Sequence, residues 1–401
     1  MNWKAASADS GYNINMSPEE HMMWRGIEKD ATYVGRLARD LSNPTLAAFA
    51  GVISLCMAPY LSLFAHESYR KLKRADPTLS SLLSRNVESI VAQSRHSLKL
   101  FEDTQRGITA QLAYFNDDIL PAHHRRFLGN TWLKLARFLE TDLGLYSYDQ
   151  RLIATTHSAT FHLGIEPDEL LKEGAGPQIQ VIYEEYGAYF ARLGARLDAP
   201  GPTFVSYLDP KRFNQRPKDV RAERYYQRVF DGAHNRDVNA LLTFFRSMLN
   251  FVSTVITASD GPPETEYTVW KIRFLTLYQV LGSLRVLRDE QLRTLTARSA
   301  RYIEQIMRMP EARLIMEPAA KPFRNTLMHY NLDSRINPMR VDLNEPLFGL
   351  VPIYFPSHDT ATFTAAVDQC IVATAAVMNE WADGEIPYGR TDTALRRYRS
   401  T

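Results

Sequence analysis

Three residues of one short stretch, Arg324, Asn325 and His329, are of the types that act on phosphate esters. A guanidinium offers a planar fork of donors to phosphate oxygens, and an imidazole exchanges a proton near neutral pH. An amide beside them can orient either by hydrogen bonding. Pro322 precedes the group, and proline suits the first turn of a helix, where its missing N–H costs nothing. The spacing therefore predicts a short helix from Pro322 to about Tyr330. On it Asn325 and His329, four apart, share a face, with Arg324 one step round the same rim. An arginine, an amide and an imidazole are thus expected to converge at one end of a helix.

Arg324-Asn325, three residues, then His329 resembles the signature of the HEPN superfamily, helical bundles many of which are metal-independent endoribonucleases. The family pattern is Arg-x(4–6)-His, with Asn commonest after the arginine. The loose form also occurs at Arg151 to His157 and at Arg228 to His234, but only Arg324 is followed by Asn with His at the right distance. The resemblance covers residues 235–383, and only the motif within it is specific. It implies cleavage of RNA by the RNA's own 2′-hydroxyl, leaving a cyclic phosphate and a 5′-hydroxyl, without metal or other cofactor. His329 would carry protons, Arg324 would stabilise the charge building on phosphorus, and Asn325 would orient the imidazole or the phosphate. Tyr330 is a candidate to stack a base. Family nucleases usually set two motifs face to face, so a homodimer is expected, and the role implied is that of a toxin or antiviral defence effector. Because some relatives bind nucleotides without cutting, the alternative is a catalytically silent helical scaffold or a nucleotide- or RNA-binding protein.

The 401 residues carry a net charge of only +2, which argues against coating nucleic acid by bulk electrostatics. Positive charge is mostly arginine, 36 against 11 lysines, a bias that favours directed phosphate contacts and that a GC-rich genome also produces. Cys56 and Cys370 lie far apart in apolar stretches, so neither a disulfide framework nor a cysteine metal site is expected. Residues 1–17 lack the charged-then-apolar order of a signal peptide, and a cytoplasmic location is expected. Residues 44–65 are uncharged, and 46–64 are long and apolar enough to be a membrane-span candidate. Pro59 and the small polar residues there favour a buried hairpin of two helices, with no stable membrane association.

The elements that position the motif read as helical throughout, giving an all-α class of two bundles. Ser17-Pro18-Glu19-Glu20 is a capping box that opens a helix to about Leu41. A long helix is expected from Thr78 to Leu120, ended by Pro121, with further helices over 122–143, 148–163 and 177–197. Residues 1–197 form an N-terminal helical domain, a candidate sensor or regulatory module. A Pro/Gly-rich basic linker follows over 198–219. Residues 220–383 form the HEPN-like domain, with an irregular or hairpin-like insertion over 331–356 before a last helix capped by Ser357 or Asp359. Residues 384–401 are a basic tail. Arg221, Arg224 and Arg228, with Lys321 beside the motif, are the remaining candidates for contact with an RNA backbone. His123-His124 near Asp117-Asp118, and His157 five residues before His162, lack the spacing of a ligand set, so no metal is expected.

Overall fold

The computed structural model describes residues 16–99, 105–132, 137, 139–172, 175–214, 218–232, 235–256, 263–289 and 295–383. The fold is all-α, with three short strands among the described residues. Helix α1 (Pro18–Leu41) opens as its sequence dictates: the Ser17 hydroxyl accepts from the Glu20 amide and the Glu20 carboxylate from the Ser17 amide. Two orphan N–H groups are thereby satisfied. Helix α2 (Ala47–Leu72) runs unbroken through Pro59, where a hairpin of two helices was expected. Pro59 removes the donor that would serve the Leu55 carbonyl. The Tyr183 hydroxyl donates to the neighbouring Ser54 carbonyl, so the disturbed turn is held from outside.

Where one long helix was expected over 78–120, a short turn over Pro77–Ser81 is followed by α3 (Arg85–Lys99) and α4 (Gln105–Ala113), then by a wide π-helical turn at Tyr114–Ile119. Pro121 does not end the helical run: the π-helical turn passes directly into α5 (Leu120–Phe127), with Ile119 and Leu120 both in the right-handed helical conformation. The expected helices over 122–143 and 148–163 give way to a hairpin of β1 (Leu143–Tyr148) and β2 (Arg151–Thr155). Asp149 and Gln150 both adopt positive φ, 52° and 62°, the left-handed pair that a two-residue hairpin turn requires. A third strand, β3 (Lys218–Val220), adds antiparallel to β1, in the order β2-β1-β3. Helices α6 (Thr156–Leu163), α7 (Pro167–Leu170) and α8 (Ala175–Arg192) complete this half, and α9 (Ala222–Tyr226) follows β3.

The second half packs α10 (Arg236–Asn250), α11 (Pro263–Asp289) and α12 (Ala297–Met307) around α16 (Thr360–Asp383). Between them lie α13 (Pro310–Ile315), the motif helix α14 (Ala320–His329) and α15 (Leu350–Tyr354). Residues 331–349 are irregular, with 3-10 turns at Pro338–Arg340 and Pro346–Gly349. The Asp359 carboxylate caps α16 by accepting from the Thr362 amide. The two halves share one continuous apolar core from Met22 to Ala382. α1 packs along α11, and the Tyr60 hydroxyl meets that of Thr276 at 2.5 Å. Residues 198–214 are packed as well: Arg39 donates to the Ala199 and Gly201 carbonyls, Asp40 accepts from Thr203, and Phe213 stacks on Phe49.

Among the described residues, three helical segments are long and apolar enough to cross a membrane: Pro44–Leu72, Arg236–Val255 and Thr360–Asp383. Their apolar windows are 56%, 89% and 44% buried within the protein, so the second is a core helix while the other two each keep an exposed side. Residues 1–15 and the basic tail over 384–401 lie outside the described residues.

Candidate functional site

Helix α14 is fixed by its apolar side. Phe323 is fully buried and packs its ring edge-on against Trp270 and Phe274 of α11 and against Phe355 and Phe363. With that side inward, helical periodicity turns Asn325 and His329 outward together. Both line an open cleft of about 630 Å³ between α14 and the end of α2, to which Glu67, Arg70, Lys71 and Asn331 also contribute.

The partner of His329 comes from 262 residues away. Its Nδ1 lies 2.8 Å from Oε2 of Glu67, a carboxylate only 2% exposed, while the imidazole keeps 27% of its surface. An ionised carboxylate can only accept; paired with one, Nδ1 carries the shared hydrogen and Nε2 is the other, uncommitted ring nitrogen. A buried acid orienting an imidazole in this way fixes both ring and tautomer, the arrangement that suits a proton carrier. Arg70 stands 3.9 Å from the same Glu67 oxygen and is largely exposed, and Lys71 donates to Asn331 at 2.6 Å. The cleft therefore joins an oriented imidazole to two cations on adjacent positions of α2.

Arg324 is placed differently from its two motif companions. It is 4% exposed, with its guanidinium 5.3 Å from the centre of the Tyr278 ring. Nη1 donates to Asn325 Oδ1 at 2.8 Å and meets Met328 Sδ at 3.3 Å. The guanidinium thus reaches the cleft through the amide of Asn325 and does not line it. Tyr330 is also inside. It caps α14 in the left-handed conformation, φ 50°, and its hydroxyl donates to Asp30 Oδ2 at 2.6 Å. Its ring covers the Lys271 ammonium at 4.1 Å, so neither face is offered to a base. Lys321 is exposed at the start of α14, away from the cleft lining. Arg221, Arg224 and Arg228 line a second cleft that shares no residue with the first.

Behind Tyr330 lies a buried ionic cluster. Asp30 accepts from Lys271 Nζ at 2.7 Å, from Thr268 Oγ1 at 2.7 Å and from Tyr330, with Lys271 and Asp30 at 0% and 2% exposure. Burial pulls the Lys271 ammonium downward from its ordinary value against the attraction of Asp30 and Glu67. This cluster ties α1, α11 and the end of α14 together, one residue from His329. Sequence reasoning missed it, as it missed Glu67. The available signal was a lone acid inside the apolar face of α1 and another at the end of the uncharged run of α2.

The histidines of the N-terminal half pack against one another. His123 and His157 have ring centres 4.4 Å apart, His157 bonds Tyr226 and the Asp142 carbonyl, and His123 bonds Thr160. His162 is buried, and its Nδ1 has no hydrogen-bond partner. Desolvation holds His123 down at about 4 and His162 at about 3. Among the described residues no group of three or more His, Cys, Asp or Glu converges as a metal set.

Comparison with known proteins returns no matching family model, no matching curated protein and no matching solved structure.

Proposed function

We propose that this chain is an endoribonuclease in which His329, oriented by Glu67, moves protons during attack of an RNA 2′-hydroxyl on the adjacent phosphodiester. The observation that carries this reading is the 2.8 Å bond between His329 Nδ1 and the buried Glu67 carboxylate at the wall of an open cleft with Arg70 and Lys71 beside it. Nε2 takes the 2′-hydroxyl proton or returns one to the 5′-oxygen leaving group, and the two cations balance the charge growing on the phosphoryl oxygens. Asn325, whose Oδ1 accepts from Arg324, bonds the scissile phosphate or the ribose in this reading. The resemblance of Arg324, Asn325 and His329 to the HEPN motif supports the same chemistry, with Arg324 acting through Asn325. A homodimer and a role as toxin or antiviral effector belong to this proposal as the resemblance implies them.

The test is cleavage of varied RNAs by purified protein in excess chelator, with wild type, His329→Ala and Glu67→Gln compared and the new ends identified. Cyclic-phosphate ends that His329→Ala reduces by about a hundredfold or more support the reading. Equal activity of that variant removes His329 as the proton carrier.

A second reading, a helical protein that binds nucleotide or RNA without cutting it, is favoured by the burial of Arg324. It gives RNA binding without new ends, and any cellular effect of the protein is then indifferent to His329→Ala.

A further inference from the structure

The second cleft, about 580 Å³, lies between α9, the end of α16 and the segment preceding β1. Its cations come from one short stretch. Arg221, Arg224 and Arg228 are spaced three and four apart, and the helical turn continues beyond Tyr226 because the Arg228 and Val229 amides both donate to the Tyr225 carbonyl. Arg221 stands at the N-cap of α9 and Arg224 and Arg228 follow on its turns, and all three line the cleft.

The two carboxylates in the same cleft are already committed. Glu140 accepts from the amides of Gly129 at 2.6 Å and Thr131 at 2.7 Å, and these bonds hold its carboxyl down at about 2. Asp383 is bound by Arg246 of α10 at 2.7 Å. No ion pair to Arg221, Arg224 or Arg228 forms among the described residues, although two acids lie within the same cleft. The Nε of Arg221 is buried and has no hydrogen-bond partner, which in a folded protein marks either a cost or a missing ligand. Three guanidinium groups lining one cavity, with no ion-pair partner among the described residues, make it a favourable place for an anion.

The remaining wall is apolar, with Leu139, Val220, Val229 and Ala382 lining it. Inorganic phosphate leaves such a wall unused. A cavity of this size with a charged end and an apolar flank is the form of a small-molecule site, and guanidinium forks match phosphate oxygens two at a time. We infer that this cleft binds a nucleotide through its phosphates, with Arg221, Arg224 and Arg228 as the phosphate contacts and the apolar flank against the base. The site is separate from the His329 cleft and stands whether or not His329 cleaves RNA.

Calorimetric titration of the full chain with ATP, AMP and pyrophosphate tests this, using wild type and the charge reversal Arg224→Glu/Arg228→Glu. Both arginines are exposed, so the variant should retain the wild-type circular dichroism and melting temperature, and Arg224→Gln alone serves as a milder check if it does not. The expected result is saturable ATP binding, weaker binding of AMP, and at least a tenfold loss of ATP affinity in the charge reversal. No saturable binding up to millimolar ATP overturns the inference, and so does ATP binding that neither variant alters. Pyrophosphate binding as tightly as ATP overturns the nucleotide assignment and leaves an anion site alone. Tight binding of an RNA oligonucleotide with none of ATP overturns it in favour of a polymer-contacting surface.

Discussion

Replacing Asp30 by Asn tests how the end of the motif helix is held. The substitution keeps shape but removes the charge that faces Lys271 Nζ at 2.7 Å, while both residues are essentially without solvent. An ammonium stranded in the interior costs about 3–5 kcal/mol. Its escape is to lose its proton, and an upper limit follows from the lysine reference value of 10.5. Deprotonation at pH 7 then costs about 5 kcal/mol, taking about 1.4 kcal/mol for each pH unit below that value. The same reasoning gives about 2 kcal/mol at pH 9. Asp30→Asn should therefore lower the urea midpoint by more than about 1 M at pH 7, for a slope of about 3 kcal/mol/M, with much of the loss recovered by pH 9. The double variant Asp30→Asn/Lys271→Met, which removes both charges, should return to within about 1 kcal/mol of wild type. Because Tyr330 donates to Asp30 and adjoins His329, the single variant should also reduce RNA cleavage. A loss below about 1 kcal/mol, a loss independent of pH, or a double variant as unstable as the single would each refute this account of the cluster.

Glu67→Gln should lower cleavage by at least about tenfold, since the imidazole loses the acid that fixes its tautomer; unchanged cleavage by the folded variant counts against the dyad. Arg324→Ala should lower stability by about 1–2 kcal/mol through loss of the contact with Tyr278, together with activity, whereas loss of activity at wild-type stability would make Arg324 a direct phosphate contact. His162, buried with a folded value of about 3 against 6.5 in the unfolded chain, binds its proton first in the unfolded state as pH falls. Its contribution is complete above pH 6.5 and is lost toward pH 3, so His162→Phe should spare about 3 kcal/mol of the stability lost by pH 4, measured by urea unfolding at both pH values. Gly35→Ala should cost about 1–3 kcal/mol in the same assay, because an added Cβ would lie 2.6 Å from the backbone nitrogen of Arg196.

What the sequence made legible was local. The capping box at Ser17, the motif helix near 322–330 and the last helix after Asp359 each depend on residues within one turn of one another, and each is found within a few residues of its expected place. The hairpin at Leu143–Thr155 was not legible for the opposite reason. Its turn uses Asp149-Gln150 in place of the usual glycine-containing pair, and β1 is completed by β3, whose partner Val220 stands 77 positions beyond Leu143. Pro59 misled because helix breaking is a local penalty, and burial of most of the surrounding turns by tertiary packing outweighs it. The all-α class survives these errors, since the strands are short and the core is made by helices.

The candidate site was half legible for a reason that bears on its chemistry. Periodicity alone places Asn325 and His329 on one face, and they do line one cleft, but a residue one step round a helix turns by about 100°. For Arg324 that step leads under Tyr278 and into the core. The positive charge facing His329 therefore comes from α2, where Arg70 and Lys71 follow the buried Glu67. A single stretch, residues 67–71, thus supplies both the acid that orients the imidazole and the cations beside it, and it closes a helix whose first half is apolar and partly exposed. Any displacement of α2 along its axis would move the orienting acid and the cations together relative to His329. The dyad's 2.8 Å geometry is consequently a property of how α2 packs against α14, and the buried Asp30–Lys271–Tyr330 cluster, which locks the end of α14 to α1 and α11, is what keeps the imidazole within reach of Glu67.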